Sequence, residues 1–363
     1  MNSTNCESSN NDQKNDLENL PKLSREKHIK YFLRFLKILP GRLSSHDTTR
    51  LMIAYFSLSG LDILNALDKL DIDTTNKIIE WIYELQITSE QTDLPVGGFQ
   101  GSTTVNTIEN ISGRYRCGHL AMTYTSLCSL LILGDNLSRV DRKAVLEGVG
   151  ALQTDEGSFN ATLYGTESDM RFTFCAAAIC YILNDWSMID RRKMAEYIIK
   201  SIGFDNGIAQ GPNLEAHGGT TYCGLSALAL SNQLELLSKE TMDKLIRWLI
   251  NRQADGFNGR PNKLTDTCYS FWVGGALKML NVFHLTDFMA NREFVMSTED
   301  SVVGGFSKWP DNTTDPLHTY FGLCGLSLLN EPGLNTVEPS LNISMRAYEY
   351  LKEVQSTWGN KNL

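Results

Sequence analysis

Four things are scarce in this chain, and each scarcity excludes a class of protein. The longest apolar runs, such as Phe172 to Leu183, stop well short of the ~20 residues that a membrane-spanning helix needs. No span is therefore expected. The cysteines (Cys6, Cys117, Cys128, Cys175, Cys180, Cys223, Cys268 and Cys324) lack paired spacing, and most lie in apolar stretches. That pattern fits reduced thiols in a cytoplasmic protein, not a disulfide frame. Positive charge is also short: 33 Lys and Arg stand against 42 Asp and Glu, a formal net charge of −9. Phosphate-backbone binding needs the opposite balance, so nucleic acid is not expected as a partner. Finally, residues 1–20 are rich in Asn, Ser and Asp with almost no apolar side chains. They read as a disordered tail with no hydrophobic segment of a signal peptide.

What the chain has is repetition. Gly97-Gly98-Phe99, Gly157-Ser158-Phe159, Asn206-Gly207-Ile208, Asp255-Gly256-Phe257 and Gly304-Gly305-Phe306 recur with a period of roughly 50 residues, in the range of solenoid and toroid repeats. Between these turns lie helical segments of two kinds. Phe172 to Leu183 and Thr221 to Leu230 are apolar all round, whereas Arg191 to Ser201 and Lys239 to Arg252 carry one apolar stripe and a charged face. The first kind should be buried and the second half exposed, which describes an all-α fold, an α/α toroid with inner and outer helical rings. Five clear repeats plus a degenerate one near Arg50 to Gln86 give six helix pairs. At 363 residues and 42% hydrophobic, the chain can bury one large core, in one domain or two.

Repeat register locates the chemistry. Counted from the turn glycines, Asp266 falls at the offset of Asp315 in the next repeat, and Tyr269 at the offset of His318. Equivalent offsets in adjacent repeats face one shared cavity. Asp266, Cys268 and His318 are three residues of metal-binding type, one short of the four that close a structural zinc site, and so match a catalytic site with one open position. In a regular helix Asp266 and Cys268 would diverge by about 200°. The site is therefore expected at a helix start, with Thr265 or Asp266 as N-cap and the helix running through Ser270 to Val273. Arg260, Lys263 and Lys308 put cations beside these residues and suit a phosphate-bearing ligand. Each residue alone has an ordinary alternative: a core histidine, a solvated turn at Arg260 and Lys263, a helix cap at His217, core packing at Tyr269. A metal with a vacant position beside cations suits activation of a thiol against a phosphorylated electrophile.

These segments, with Ser59-Gly-Leu-Asp62, Gly97-Gly-Phe-Gln-Gly-Ser102, Cys117-Gly-His119, Asp169-Met-Arg-Phe172, Glu215-Ala-His-Gly-Gly219, Gly259-Arg-Pro-Asn-Lys263, Asp266-Thr-Cys-Tyr269 and Asp315-Pro-Leu-His318, resemble the β subunits of protein prenyltransferases from about Tyr31 to Trp358. The resemblance implies a single toroid domain over residues 21–363 that pairs with a helical-repeat α subunit. It implies zinc on Asp266, Cys268 and His318, whose open position takes the substrate cysteine, and an isoprenoid diphosphate held by His217, Arg260, Lys263 and Tyr269. Farnesyl and Rab-directed forms carry an Asp ten residues before the zinc histidine, where magnesium binds. This chain has Lys308 there, which matches the geranylgeranyltransferase type I β subunit, so magnesium is not expected to be required and geranylgeranyl diphosphate is the expected donor. The expected acceptors are CaaX-terminated proteins such as small GTPases, typically with X = Leu. By the same carry-over His119, Ala121, Arg171, Phe172 and Leu317 would line the peptide pocket, and Met52, Trp272 and Phe321 the lipid tunnel. Met52 departs from both the Trp of the farnesyl form and the small residue of the type I form. Two other classes stay open: a non-enzymatic helical scaffold, and a terpene cyclase, for which the chain lacks any Asp-x-Asp-Asp or Asp-Asp-x-x-Asp run.

Overall fold

The structure, a computed structural model, describes residues 21–90, 94–106, 116–164 and 167–358. The expected tail, residues 1–20, lies outside them. The described helices run, in chain order, α1 (Arg25–Lys37), α2 (Arg50–Ile63), α3 (Ile72–Glu84), α4 (Leu120–Ile132), α5 (Arg142–Ala151), α6 (Met170–Ile182), α7 (Arg191–Lys200), α8 (Gly218–Leu230), α9 (Lys239–Ile250), α10 (Tyr269–Met279), α11 (Phe288–Ser297), α12 (Pro316–Leu328) and α13 (Met345–Thr357). The even-numbered helices α2 to α12 pack each on the next, and α12 returns to α2. They form the closed inner ring that the apolar segments predict. Helix α6 buries all but two of its positions, Arg171 and Tyr181, whereas α9 buries only Leu245, Trp248 and Leu249. The odd-numbered helices form the outer ring because one apolar stripe is all they have to bury.

The repeat near Arg50 is not degenerate in structure, since α2 and α3 are full-length helices. Helix α1, which carries no turn motif of its own, fills the outer position between α12 and α2. His28 of α1 makes the seam: its Nδ1 accepts the Gly305 N–H at 3.0 Å, and its Nε2 faces Glu299 Oε1 at 2.8 Å. Gly304, at φ +77°, lies so close to α1 that a Cβ would sit 2.5 Å from the Lys27 carbonyl oxygen, so both the conformation and the contact require glycine.

Strand content is slight. Hairpins β1 (Gln86–Ile87)/β2 (Gly98–Phe99) and β3 (Val337–Glu338)/β4 (Ile343–Ser344) are the two short sheets among the described residues. The segment between β3 and β4 crosses one end of the ring. There the hydroxyls of Tyr222, Tyr124, Tyr55 and Tyr320 donate to the carbonyls of Pro339, Leu341 and Asn342 at 2.6–2.8 Å. These bonds satisfy backbone groups that no sheet or helix pairs, and they floor the toroid. Among the described residues no helix is long and apolar enough to cross a membrane.

Candidate active site

At the other end, the inner helices begin. His119, Asp169, His217 and Asp315 each stand at the N-cap of one, and each accepts a backbone N–H of the first turn. The requirement to cap a helix thus lines the mouth with imidazole and carboxylate groups. Helix α10 departs from expectation: it starts at Tyr269, and Cys268 holds the cap position with no side-chain cap bond. Asp266 instead accepts the Cys268 N–H at 3.0 Å from a turn ahead of the helix. That extra turn brings the two side chains together, which a regular helix would have forbidden.

Asp266, Cys268 and His318 place one ligand atom each within 4.8 Å of one another. Asp266 and Cys268 are buried and His318 is nearly so. His318 Nδ1 bonds Asp315 Oδ2 at 2.6 Å, which turns Nε2 toward Asp266 Oδ1 at 3.3 Å. Burial alone would lower the His318 pKa, but the Asp266 and Asp315 carboxylates outweigh it and raise the value to about 9. Burial opposes the charge on Asp266 as well, yet bonds from His318 and Cys268 hold it below its ordinary value. Burial, then the Asp266 charge, push the Cys268 thiol well up. A carboxylate, a thiol and an imidazole gathered in one largely buried cluster are a zinc-type donor set, so the residues present fit a metal ion. Asp315 supplies the carboxylate partner that orients a metal-binding imidazole. The sequence reading did not give Asp315 a role, although its shared offset with Asp266 was the available signal.

Beside this cluster lies a cavity of about 230 Å³ lined by Gly259, Arg260, Lys263, Leu264, Asp266, Tyr269, Lys308 and Trp309. Lys308 Nζ stands 3.7 Å from Asp266 Oδ2 and 4.6 Å over the Trp309 ring. It points at the cluster and not away from the protein. Arg260 pairs with Glu215 at 2.8 Å, a partner that sequence reading missed. Tyr269 Oη lies 2.7 Å from His217 Nε2. Burial first, then the Arg260 charge, depress the His217 pKa to about 4.

Arg260 also borders a larger cavity of about 840 Å³ that runs down the ring. His119, Ala121, Arg171, Phe172 and Leu317 line it, as do Met52, Trp272, Phe321 and His217. Phe172 and Leu317 therefore face open space as well as core. The Trp272 and Phe321 rings pack at 4.1 Å between centroids with their planes tilted by 47°. Arg171 enters the wall already paired with Asp169 and Glu167, each at 2.7 Å.

Residues 23–343 match the family model of the prenyltransferase alpha-alpha toroid domain. The chain belongs to the prenyltransferase toroid family. Among its relatives is the geranylgeranyl transferase type-1 subunit beta of Arabidopsis thaliana, 38% identical over 339 residues that cover 89% of either chain. The subunit of that name from Dictyostelium discoideum is 35% identical over 90% of this chain and 96% of its own. A solved structure of Candida albicans protein geranylgeranyltransferase-I complexed with GGPP superposes with TM-score 0.84 at 28% identity, over 92% of this chain and 99% of that one. In this prenyltransferase toroid, then, a metal-type cluster, a cation-lined cavity and an apolar tunnel lie side by side at one mouth.

Proposed function

We propose that the chain is the β subunit of a zinc-dependent protein geranylgeranyltransferase type I. It joins an α subunit and moves a geranylgeranyl group from geranylgeranyl diphosphate to the cysteine of C-terminal CaaX sequences. The observation that carries this reading is the contiguity of three sites: Asp266, Cys268 and His318 within 4.8 Å, the Arg260–Lys263–Lys308 cavity beside them, and the apolar cavity of about 840 Å³ below. The relatives' names and Lys308 in place of a carboxylate support the type I assignment.

Transfer breaks the allylic C1–O bond and forms a C1–S bond, and the electron pair leaves on the diphosphate. Asp266, Cys268 and His318 would hold zinc, which when bound keeps the acceptor cysteine a thiolate at neutral pH. Arg260, Lys263 and Lys308 neutralise the charge that grows on the leaving oxygens, and the Tyr269 hydroxyl donates to them with help from His217. Met52, Trp272 and Phe321 give the lipid a wall that excludes water, and Phe172 stands on the peptide side. His119, Ala121 and Leu317 lie where the peptide's terminal residues would pack, and Arg171 near its carboxylate. The free thiols fit a cytoplasmic enzyme. The test is co-expression with a candidate α subunit and an assay of lipid transfer to peptides ending in Leu or Ser. Geranylgeranyl transfer to the Leu peptide is expected. Preferential farnesyl transfer to the Ser peptide would assign the chain to the farnesyl form instead.

A further inference from the structure

The floor of the large cavity carries a polar group that the protein leaves unspent. Asn342, in the segment between β3 and β4, is 3% exposed and lines the cavity of about 840 Å³ together with Tyr55 and Tyr124. Its main-chain carbonyl accepts the Tyr55 and Tyr320 hydroxyls, each at 2.6 Å. Its side-chain Oδ1 accepts the Cys324 thiol at 3.7 Å. The Nδ2 group has no partner among the described residues, and it is not sealed within protein. Its two N–H donors therefore depend on solvent in the cavity that Asn342 lines.

The floor cannot sink to make room. Asp62, 1% exposed and part of the Ser59-Gly-Leu-Asp62 segment, holds both feet of the strap. Its Oδ2 accepts the Ser344 hydroxyl at 2.6 Å, its Oδ1 accepts Arg346 Nε–H at 2.9 Å, and its carbonyl accepts Asn335 Nδ2–H at 2.7 Å. Between the feet, the Tyr222 and Tyr124 hydroxyls donate to the Pro339 and Leu341 carbonyls, and the Ser226 hydroxyl donates to that of Ser340. Lowering the strap would break these bonds together and leave buried carbonyls unpaired.

We infer that Asn342 is a specificity-determining residue that limits lipid length from below: a chain that stops short of it leaves the Nδ2 group its solvent, whereas a chain one isoprene unit longer than geranylgeranyl covers the amide with hydrocarbon that cannot accept its hydrogen bonds. An amide donor buried without a partner costs enough to weaken binding by about tenfold or more. Asp62 is the positioning residue that keeps the strap, and so the amide, at a fixed depth. The inference rests on the reading of this cavity as the lipid tunnel.

The test uses the zinc-loaded heterodimer and measures the affinities of isoprenoid diphosphates of four and five isoprene units by competition. Wild type should bind the five-unit lipid weaker than the four-unit one by about tenfold or more, and equal affinities would overturn the inference. Asn342→Gly removes the amide but keeps the carbonyl that Tyr55 and Tyr320 use, and glycine tolerates the φ of +52° at this position. It should raise the ratio of five-unit to four-unit affinity by about tenfold or more at an unchanged melting temperature. A purely structural role would weaken both lipids alike and leave the ratio where it was, which would also overturn the inference. Asn342→Asp keeps a polar group of nearly the same size and should still reject the longer lipid, so its acceptance by this variant would show that polarity is not what limits length. Failure of the wild-type heterodimer to bind the four-unit lipid at all would remove the tunnel reading itself, whereas tight four-unit binding with an unchanged ratio in Asn342→Gly removes only the role of Asn342.

Discussion

Asp315 and Lys308 act on the candidate metal cluster from opposite sides, one through His318 and one through Asp266. Removing the carboxylate that orients an imidazole ligand weakens metal affinity by about 10–100-fold. Asp315→Ala should therefore lower zinc affinity by that factor in a competition titration, with lipid diphosphate affinity unchanged. Lys308 makes a different prediction. If its ammonium supplies the charge at the diphosphate, wild-type transfer is insensitive to magnesium, and Lys308→Asp slows single turnover and makes it magnesium-dependent, because the new carboxylate can hold the ion that replaces the lost charge. A magnesium titration of both proteins decides this, and a strongly magnesium-dependent wild type would favour a farnesyl or Rab-directed enzyme. The metal-type residues were legible because ligand chemistry is confined to a few residue types and the repeat put them in register. Asp315 and Glu215 were less so, since each acts on another side chain, and only proximity reveals that. The start of α10 was misread because Asp266 caps a preceding turn, a conformation that residue type alone does not separate from an N-cap.

At the scale of elements, inner and outer helices were legible from the breadth of their apolar faces, and the turn glycines from their period. Helix α1 was not assigned, and the reason is topological. Its turn motif, Gly304-Gly305-Phe306, lies at the far end of the chain, and only closure of the ring brings the two together. That closure depends on a half-buried carboxylate. Burial alone would raise the Glu299 pKa, but bonds from His28 and from the Ser24 N–H bring it below its ordinary value. A carboxylate depressed in the folded state adds stability that is complete above the ordinary glutamate value of about 4.3 and is lost as pH falls through the folded value. The wild-type melting temperature should therefore decline on acidification below about pH 4 more steeply than that of Glu299→Gln, which lacks the titrating group. Parallel declines would remove this seam from the account.

As a whole molecule, the toroid separates its tasks along one axis. The segment between β3 and β4 floors one end, the apolar cavity fills the middle, and the capped heads of the inner helices gather charge at the other. The architecture was legible from the period, but the tunnel's depth and the setting of Met52 were not, because they depend on side chains from several repeats. If the chain pairs with an α subunit as proposed, the isolated chain should be inactive and poorly soluble, which turnover by the purified single chain would contradict. The central claim is that one group of residues grips the thiol through a metal and an adjacent group grips the diphosphate. Its most direct test is a metal analysis of the purified heterodimer with paired assays before and after chelation. The account predicts one zinc per β chain, and after chelation, loss of transfer with geranylgeranyl diphosphate binding intact. Full transfer by zinc-free protein, or lipid diphosphate binding lost along with the zinc, would contradict it.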